Sequence, residues 1–228
     1  MTPETLSAIA VFGGLALILP TFFLMLSRAP GPLSATGQKA LLAIPVVVLL
    51  WLGIAVATSL SAGLSFPIFL PFALVPIAVG FALSFHPGVA EVLARVPTHW
   101  LIFLSVYRNI GFVFLAVYWT GGDISWGFAR NAGWGDVLTG VLAVPVGWMI
   151  WKNIKGQEAA LLIWSVIGIG DLILAPASAQ MFGGGETLTS FPLNLIPLFL
   201  GPPFGILLHI LTLRAFYLKQ RMQRAAPA

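Results

Sequence analysis

Residues 40–90 read ALLAIPVVVLLWLGIAVATSLSAGLSFPIFLPFALVPIAVGFALSFHPGVA, with no Asp, Glu, Lys or Arg from one end to the other. About 20 predominantly apolar residues suffice for one transmembrane helix, so this stretch has room for two. The rest of the chain follows the same composition. Of 228 residues, 59% are apolar and 8% are charged. A soluble domain carries about a quarter charged residues, so most of this surface is built to face lipid. Cysteine is absent, which excludes disulfides, thiolate metal sites and a cysteine nucleophile. The net charge of +4 does not point to nucleic acid, because membrane topology accounts for where the basic residues fall.

Outward from that stretch, seven apolar segments can be marked, at about Leu6–Leu26, Ala40–Leu60, Pro67–Phe85, Trp100–Trp119, Gly133–Trp151, Ala159–Ala177 and Pro192–Leu213. Unpaired backbone polar groups are too costly in hydrocarbon, so all seven are expected to be helices. The expected fold is an all-α, polytopic membrane bundle forming one transmembrane domain over residues 1–228. Met1-Thr2-Pro3-Glu4 lacks the basic region of a cleaved signal peptide, so the first segment is expected to stay as an anchor. Arg28, Lys39, Arg95, Lys152, Lys155, Arg214, Lys219, Arg221 and Arg224 fall in alternate loops and the C-terminal tail, whereas the other side has Arg130 with Glu4, Asp123 and Glu186. The positive-inside rule then places the N-terminus outside and the C-terminus in the cytoplasm, as in a bacterial inner membrane. Trp119, Trp126 and Trp134 fit an outer aromatic belt, and Trp100, Trp148 and Trp151 an inner one. The tail after Arg214 is basic enough to lie against anionic lipid.

The seven spans divide as three, one and three, with proline in every span of both outer sets: Pro20, Pro45 and Pro76, then Pro145, Pro176 and Pro197. This resembles the parallel duplication of SWEET-type sugar transporters in architecture alone, since the proline spacings of the two sets differ.

Three formal charges lie within the apolar segments: Arg108, Asp136 and Asp171. Charges at such depth are expensive and mark functional sites by default. At about 1.5 Å per residue, Arg108 falls roughly 12 Å above the inner end of its segment, Asp171 roughly 18 Å and Asp136 roughly 22 Å. Depth alone thus favours Asp171 as the partner of Arg108. Asp136, Gly140, Ala143 and Gly147 share one helical stripe, as do Gly168, Asp171, Ala175 and Ser178, and small residues on a stripe let helices approach closely. The last segment contains Gly201-Pro202-Pro203-Phe204-Gly205, which should break or sharply bend its helix. Broken helices offer backbone groups to substrates and ions in transporters. The expected ligand site therefore combines Arg108, Asn109, Asp136 and Asp171 with Gly201 and Gly205, and with Asn194 from the outer half of the last segment.

The leading functional reading is a small transporter, or a ligand-binding membrane protein, for a small polar or cationic solute. One arginine cannot neutralise two nearby aspartates, and the excess acid favours proton coupling or cation binding. Gly133-Trp134-Gly135-Asp136 and Gly168-Ile169-Gly170-Asp171 each match GxGD, which resembles one half of the catalytic site of presenilin-type and prepilin-type intramembrane aspartyl proteases. That resemblance implies Asp136 and Asp171 as an acid pair activating water. In those families, however, only one aspartate carries GxGD, and the presenilin-type PAL signature is missing here. His86, His99 and His209 share the cytoplasmic rim of the expected topology, so haem or a metal ion is a further alternative. No specific cofactor is indicated. All four lysines belong to cytoplasmic segments, which disfavours a retinal linkage, and there is no phosphate loop. The remaining alternative is a non-catalytic subunit of a larger membrane complex.

Overall fold

The computed structural model describes residues 1–28, 31–61, 66–183 and 188–225, with the backbone alone at 66–68 and 225. Among the described residues the secondary structure is helical, without strands. The helices are α1 (Pro3–Ser27), α2 (Ala35–Ser61), α3 (Phe66–Leu83), α4 (Pro87–Arg95), α5 (Thr98–Leu104), α6 (Phe112–Trp119), α7 (Trp126–Trp151), α8 (Gln157–Phe182) and α9 (Pro202–Ala225). A 3₁₀ stretch, Ser105–Gly111, joins α5 to α6, and a π-helical stretch, Ile196–Leu200, precedes α9.

Six helical runs are long and apolar enough to cross a membrane. They are α1, α2, the continuous run Thr98–Trp119, α7, α8 and the run Ile196–Arg224. A seventh candidate is the bent pair Phe69–Leu83 and Pro87–Arg95, whose axes differ by 87°. The exposed large side chains are largely aliphatic and aromatic, among them Leu42, Val46, Leu50, Val166 and Leu174. They form faces suited to hydrocarbon.

The bend reflects local chemistry. Pro87 opens α4 and restrains His86 to extended backbone, so α3 cannot continue through it. Arg214 Nε donates to the carbonyl of Ser84 at 2.8 Å, and its guanidinium lies 3.9 Å from the Phe85 ring centroid. These contacts satisfy an end-of-helix carbonyl and fix the turn against α9. The short helix α4 buries Gly88, Val92 and Leu93 and leaves Glu91 and Arg95 partly exposed, paired at 3.1 Å. An amphipathic helix turned across the bundle suits a membrane interface. Hydropathy ends the third apolar segment at Phe85 and leaves this helix in the loop that follows.

Helix α7 begins earlier than the apolar run suggests. Ser125 accepts a hydrogen bond from the amide of Phe128 and caps the helix, so the polar residues Arg130 and Asn131 lie inside its first turns rather than in a loop. The two ends of the bundle are distinct. One gathers residues 31–37, α4, the α7–α8 turn and the C-terminal part of α9, joined by Ser34 to Glu91, Lys219 Nζ to Val96 O and Tyr217 to Glu158. The other end brings Ser125 to the carbonyl of Gly183.

Candidate functional site

The 3₁₀ stretch has the sequence Ser-Val-Tyr-Arg-Asn-Ile-Gly. Residues three apart eclipse one another in a 3₁₀ helix. Ser105, Arg108 and Gly111 therefore align, and all three are buried. The tighter winding also raises Arg108. Six residues of α-helix and four at about 2.0 Å place it roughly 17 Å above Thr98. The observed helix ends put Asp171 about 21 Å above Gln157 and Asp136 about 22 Å above Trp151. All three charges thus lie at similar depth, which the apolar boundaries alone do not show.

Arg108 is 1% exposed and holds both acids. Its Nε donates to Asp136 Oδ1 at 2.7 Å, and its Nη2 lies 2.6 Å from the same oxygen. Nη2 also donates to Asp171 Oδ2 at 2.5 Å. Nη1 donates to the carbonyl of Gly168 at 2.9 Å. Depth along the apolar segments favours Asp171 alone, whereas the guanidinium bridges α7 and α8 through both carboxylates. Each aspartate side chain is only 11% exposed, so the cluster holds one cation and two anions away from water.

Glycine makes this approach geometrically feasible. A Cβ at Gly111 would collide with the Asp136 side chain, and one at Gly135 with the Asp171 carboxylate. A Cβ at Gly133 would sit 2.9 Å from Leu115 Cγ, and one at Gly168 would strike the His209 imidazole. Both GxGD sequences thus contain glycines that helix contact requires. Close helix contact accounts for Gly133, Gly135 and Gly168, whereas Gly170 faces open space.

The other expected site residues separate into distinct settings. Asn109 Nδ2 donates to its own helix at Val106 O, 2.8 Å away, and packs against Gly140 rather than bonding to the charges. Asn194 is fully buried, accepts a hydrogen bond from Ser59 and donates to Ser59 O at 3.3 Å and Thr189 O at 3.1 Å. It clamps the last span to α2. Gly201 does interrupt the helix, and Pro202 starts α9 after it. Nearby carbonyls are partnered: Leu200 O accepts from Tyr107 Oη at 2.7 Å, and Gly201 O from the amide of Gly205 at 2.7 Å. Tyr107 precedes Arg108, so the broken helix and the charge cluster meet through adjacent residues. A Cβ at Gly205 would lie 3.1 Å from Tyr107 Oη.

The three histidines do not share one rim setting. His86 is exposed, and His99 is half-buried among Trp100, Phe103 and Trp151. His209 is wholly buried, its ring 4.2 Å from that of Trp164 and against Gly168, with neither nitrogen hydrogen-bonded. Among the described residues no group of three or more His, Asp or Glu side chains is arranged to hold a metal ion. Tyr107 is a cluster neighbour that apolar patterning misses, and His209, expected at the cytoplasmic rim, instead lies against Gly168 beside the cluster. The only signal of Tyr107 is a polar side chain at span depth, which the sequence shares with many other residues.

The profile of a domain of unknown function, DUF8737, matches residues 65–217, more than half of the chain. The chain belongs to the DUF8737 family. The matched region holds Tyr107, Arg108, Asp136, Asp171 and His209, whereas α1 and α2 precede it. Neither a curated protein nor a solved structure matches the chain.

Proposed function

We propose that this DUF8737 protein is a small membrane transporter, or a solute-binding membrane protein, working through the Arg108–Asp136–Asp171 cluster. The ligand is a small polar or cationic solute whose binding is coupled to protons. The observation that carries this reading is one buried guanidinium shared by two carboxylates. With both acids ionised the cluster has one negative charge in excess. A second cation or a proton offsets it, which makes occupancy of the site responsive to either. The adjoining break at Gly201 is tied to the cluster through Tyr107, and hinge motions in general are absorbed at such element ends.

An aspartyl enzyme is the second reading and has less support. Two carboxylates activating water share a proton across a short gap. Here a guanidinium stands between them and binds both, so the acids act as acceptors toward Arg108. A non-catalytic subunit of a larger complex is the outcome if no solute is found.

The test is the purified protein in proteoliposomes, with a pH-sensitive dye inside and a panel of small amines and inorganic cations outside. Solute-dependent proton movement is expected, and Asp171→Asn should lower it at least tenfold while leaving the protein folded. No solute-dependent proton movement and no solute-dependent stabilisation across the panel would overturn transport and favour the subunit reading.

The orientation belongs to the same proposal: N-terminus outside, C-terminus in the cytoplasm, in a bacterial inner membrane. The chain has no cysteine, so single cysteines report without background. Asp123→Cys should be labelled by a membrane-impermeant maleimide in intact cells, and Lys39→Cys and Lys155→Cys only after permeabilisation. The reverse pattern would invert the topology.

A further inference from the structure

Away from the charge cluster, α4, α5, the α7–α8 turn and α9 enclose an open cavity of about 680 Å³ at the basic end of the bundle. Arg95, Lys219 and Arg224 line it, with His99 and the amide side chains of Asn153 and Gln157. Among the described residues no Asp or Glu contributes to its wall.

These cations retain donors for a ligand. Lys219 Nζ gives one hydrogen to Val96 O at 2.5 Å, and an ammonium has three. Arg95 pairs through Nη2 with Glu91, which lies outside the cavity. Among the described residues Arg224 has only a long contact of 3.5 Å, to Gln220. Arg95 comes from α4 and Lys219 and Arg224 from α9, and among the described residues of the wall no carboxylate offsets the last two. An anion in the cavity would.

We infer that this cavity is a binding site for a phosphate-bearing anion. Arginine forks match phosphate oxygens in pairs, lysine adds a point charge, and the amides offer neutral donors to the remaining oxygens. Basic end-of-helix pockets of this kind take lipid head groups, and the same chemistry takes a free phosphate compound. The site stands independently of the transport proposal, because none of its residues touches Arg108, Asp136 or Asp171 in the hydrogen-bond network.

Two probes distinguish the sources. Pyrophosphate is titrated against the detergent-purified full chain by thermal shift. Phosphatidylglycerol retention is measured by native mass spectrometry from mixed nanodiscs with phosphatidylcholine. The test variant is Lys219→Gln/Arg224→Gln. The control is Arg28→Gln/Lys39→Gln, which removes the same charge at exposed positions on the same end. Saturable binding of at least one probe is expected, weakened tenfold or more in the test variant and less than twofold in the control. Pyrophosphate alone identifies a soluble ligand, and phosphatidylglycerol alone a lipid head group. Binding of neither probe, or equal weakening in both variants, overturns the site.

Discussion

Arg108→Leu is expected to lower the stability of the detergent-solubilised protein by about 3–5 kcal/mol, the loss that follows stranding a buried charge. The two acids should behave differently from the arginine. Asp136→Asn or Asp171→Asn leaves Arg108 with one carboxylate, a neutral pair, and the amide oxygen can still accept. Each single change should therefore cost no more than the loss of one charged hydrogen bond, about 1.5–3 kcal/mol. The multiple variants sharpen the test. Arg108→Leu with Asp171→Leu still strands Asp136, whose Oδ1 takes both Nε and Nη2 of the arginine, so recovery should be incomplete. Arg108→Leu with Asp136→Asn and Asp171→Asn removes every charge and should regain most of the loss. Equilibrium unfolding of this set, read by tryptophan fluorescence, decides it. If the two-residue variant recovers as fully as the three-residue one, Asp136 is not a partner of Arg108. A recovered variant that binds no solute would assign the cluster to function rather than packing.

The membrane class is plain in the sequence because it depends on composition, which no tertiary contact can hide. Helices α1, α2 and α8 extend only a few residues beyond the apolar segments that announce them. Elsewhere, hydropathy measures burial in lipid and is blind to how a helix is wound or capped. It leaves α4 in the loop after the third segment, which ends at Phe85, since Glu91 and Arg95 lower the hydropathy of a helix that turns by 87°. It starts α7 late, since the capping Ser125 and the polar Arg130 and Asn131 lower hydropathy without ending the helix. The same limit applies to the site. Arg108, Asp136 and Asp171 are legible as costly charges at span depth. That Arg108 holds both acids is not, because it depends on the 3₁₀ winding of Ser105–Gly111 and on glycines in facing helices. Asn194 shows the converse: a polar residue at similar expense that serves as a clamp between α2 and the last span.

Glycine substitutions test that close approach, with opposite signs expected at neighbouring places of the two GxGD sequences. Gly135 lies where any Cβ would enter the Asp171 carboxylate, which is itself held by Arg108 and cannot swing away without breaking the ion pair. Gly135→Ala should therefore force α7 and α8 apart or displace the acid, at about 1–3 kcal/mol, as in overpacked cores. Gly170 occupies the equivalent place before Asp171, yet a methyl group there would meet nothing within 4 Å. At that position the ordinary helix preference prevails, and Gly170→Ala should stabilise by about 0.5–1 kcal/mol. Gly111→Ala faces the Asp136 side chain from the 3₁₀ stretch and should resemble Gly135→Ala. Thermal unfolding in one detergent ranks the three variants against the parent protein. Solute binding adds the second axis, since displacing either carboxylate changes the ligand set even where the fold survives. If Gly135→Ala is as stable as Gly170→Ala and binds solute unchanged, α7 and α8 do not meet through the Asp171 carboxylate. The bridging geometry of Arg108 would then fall with it.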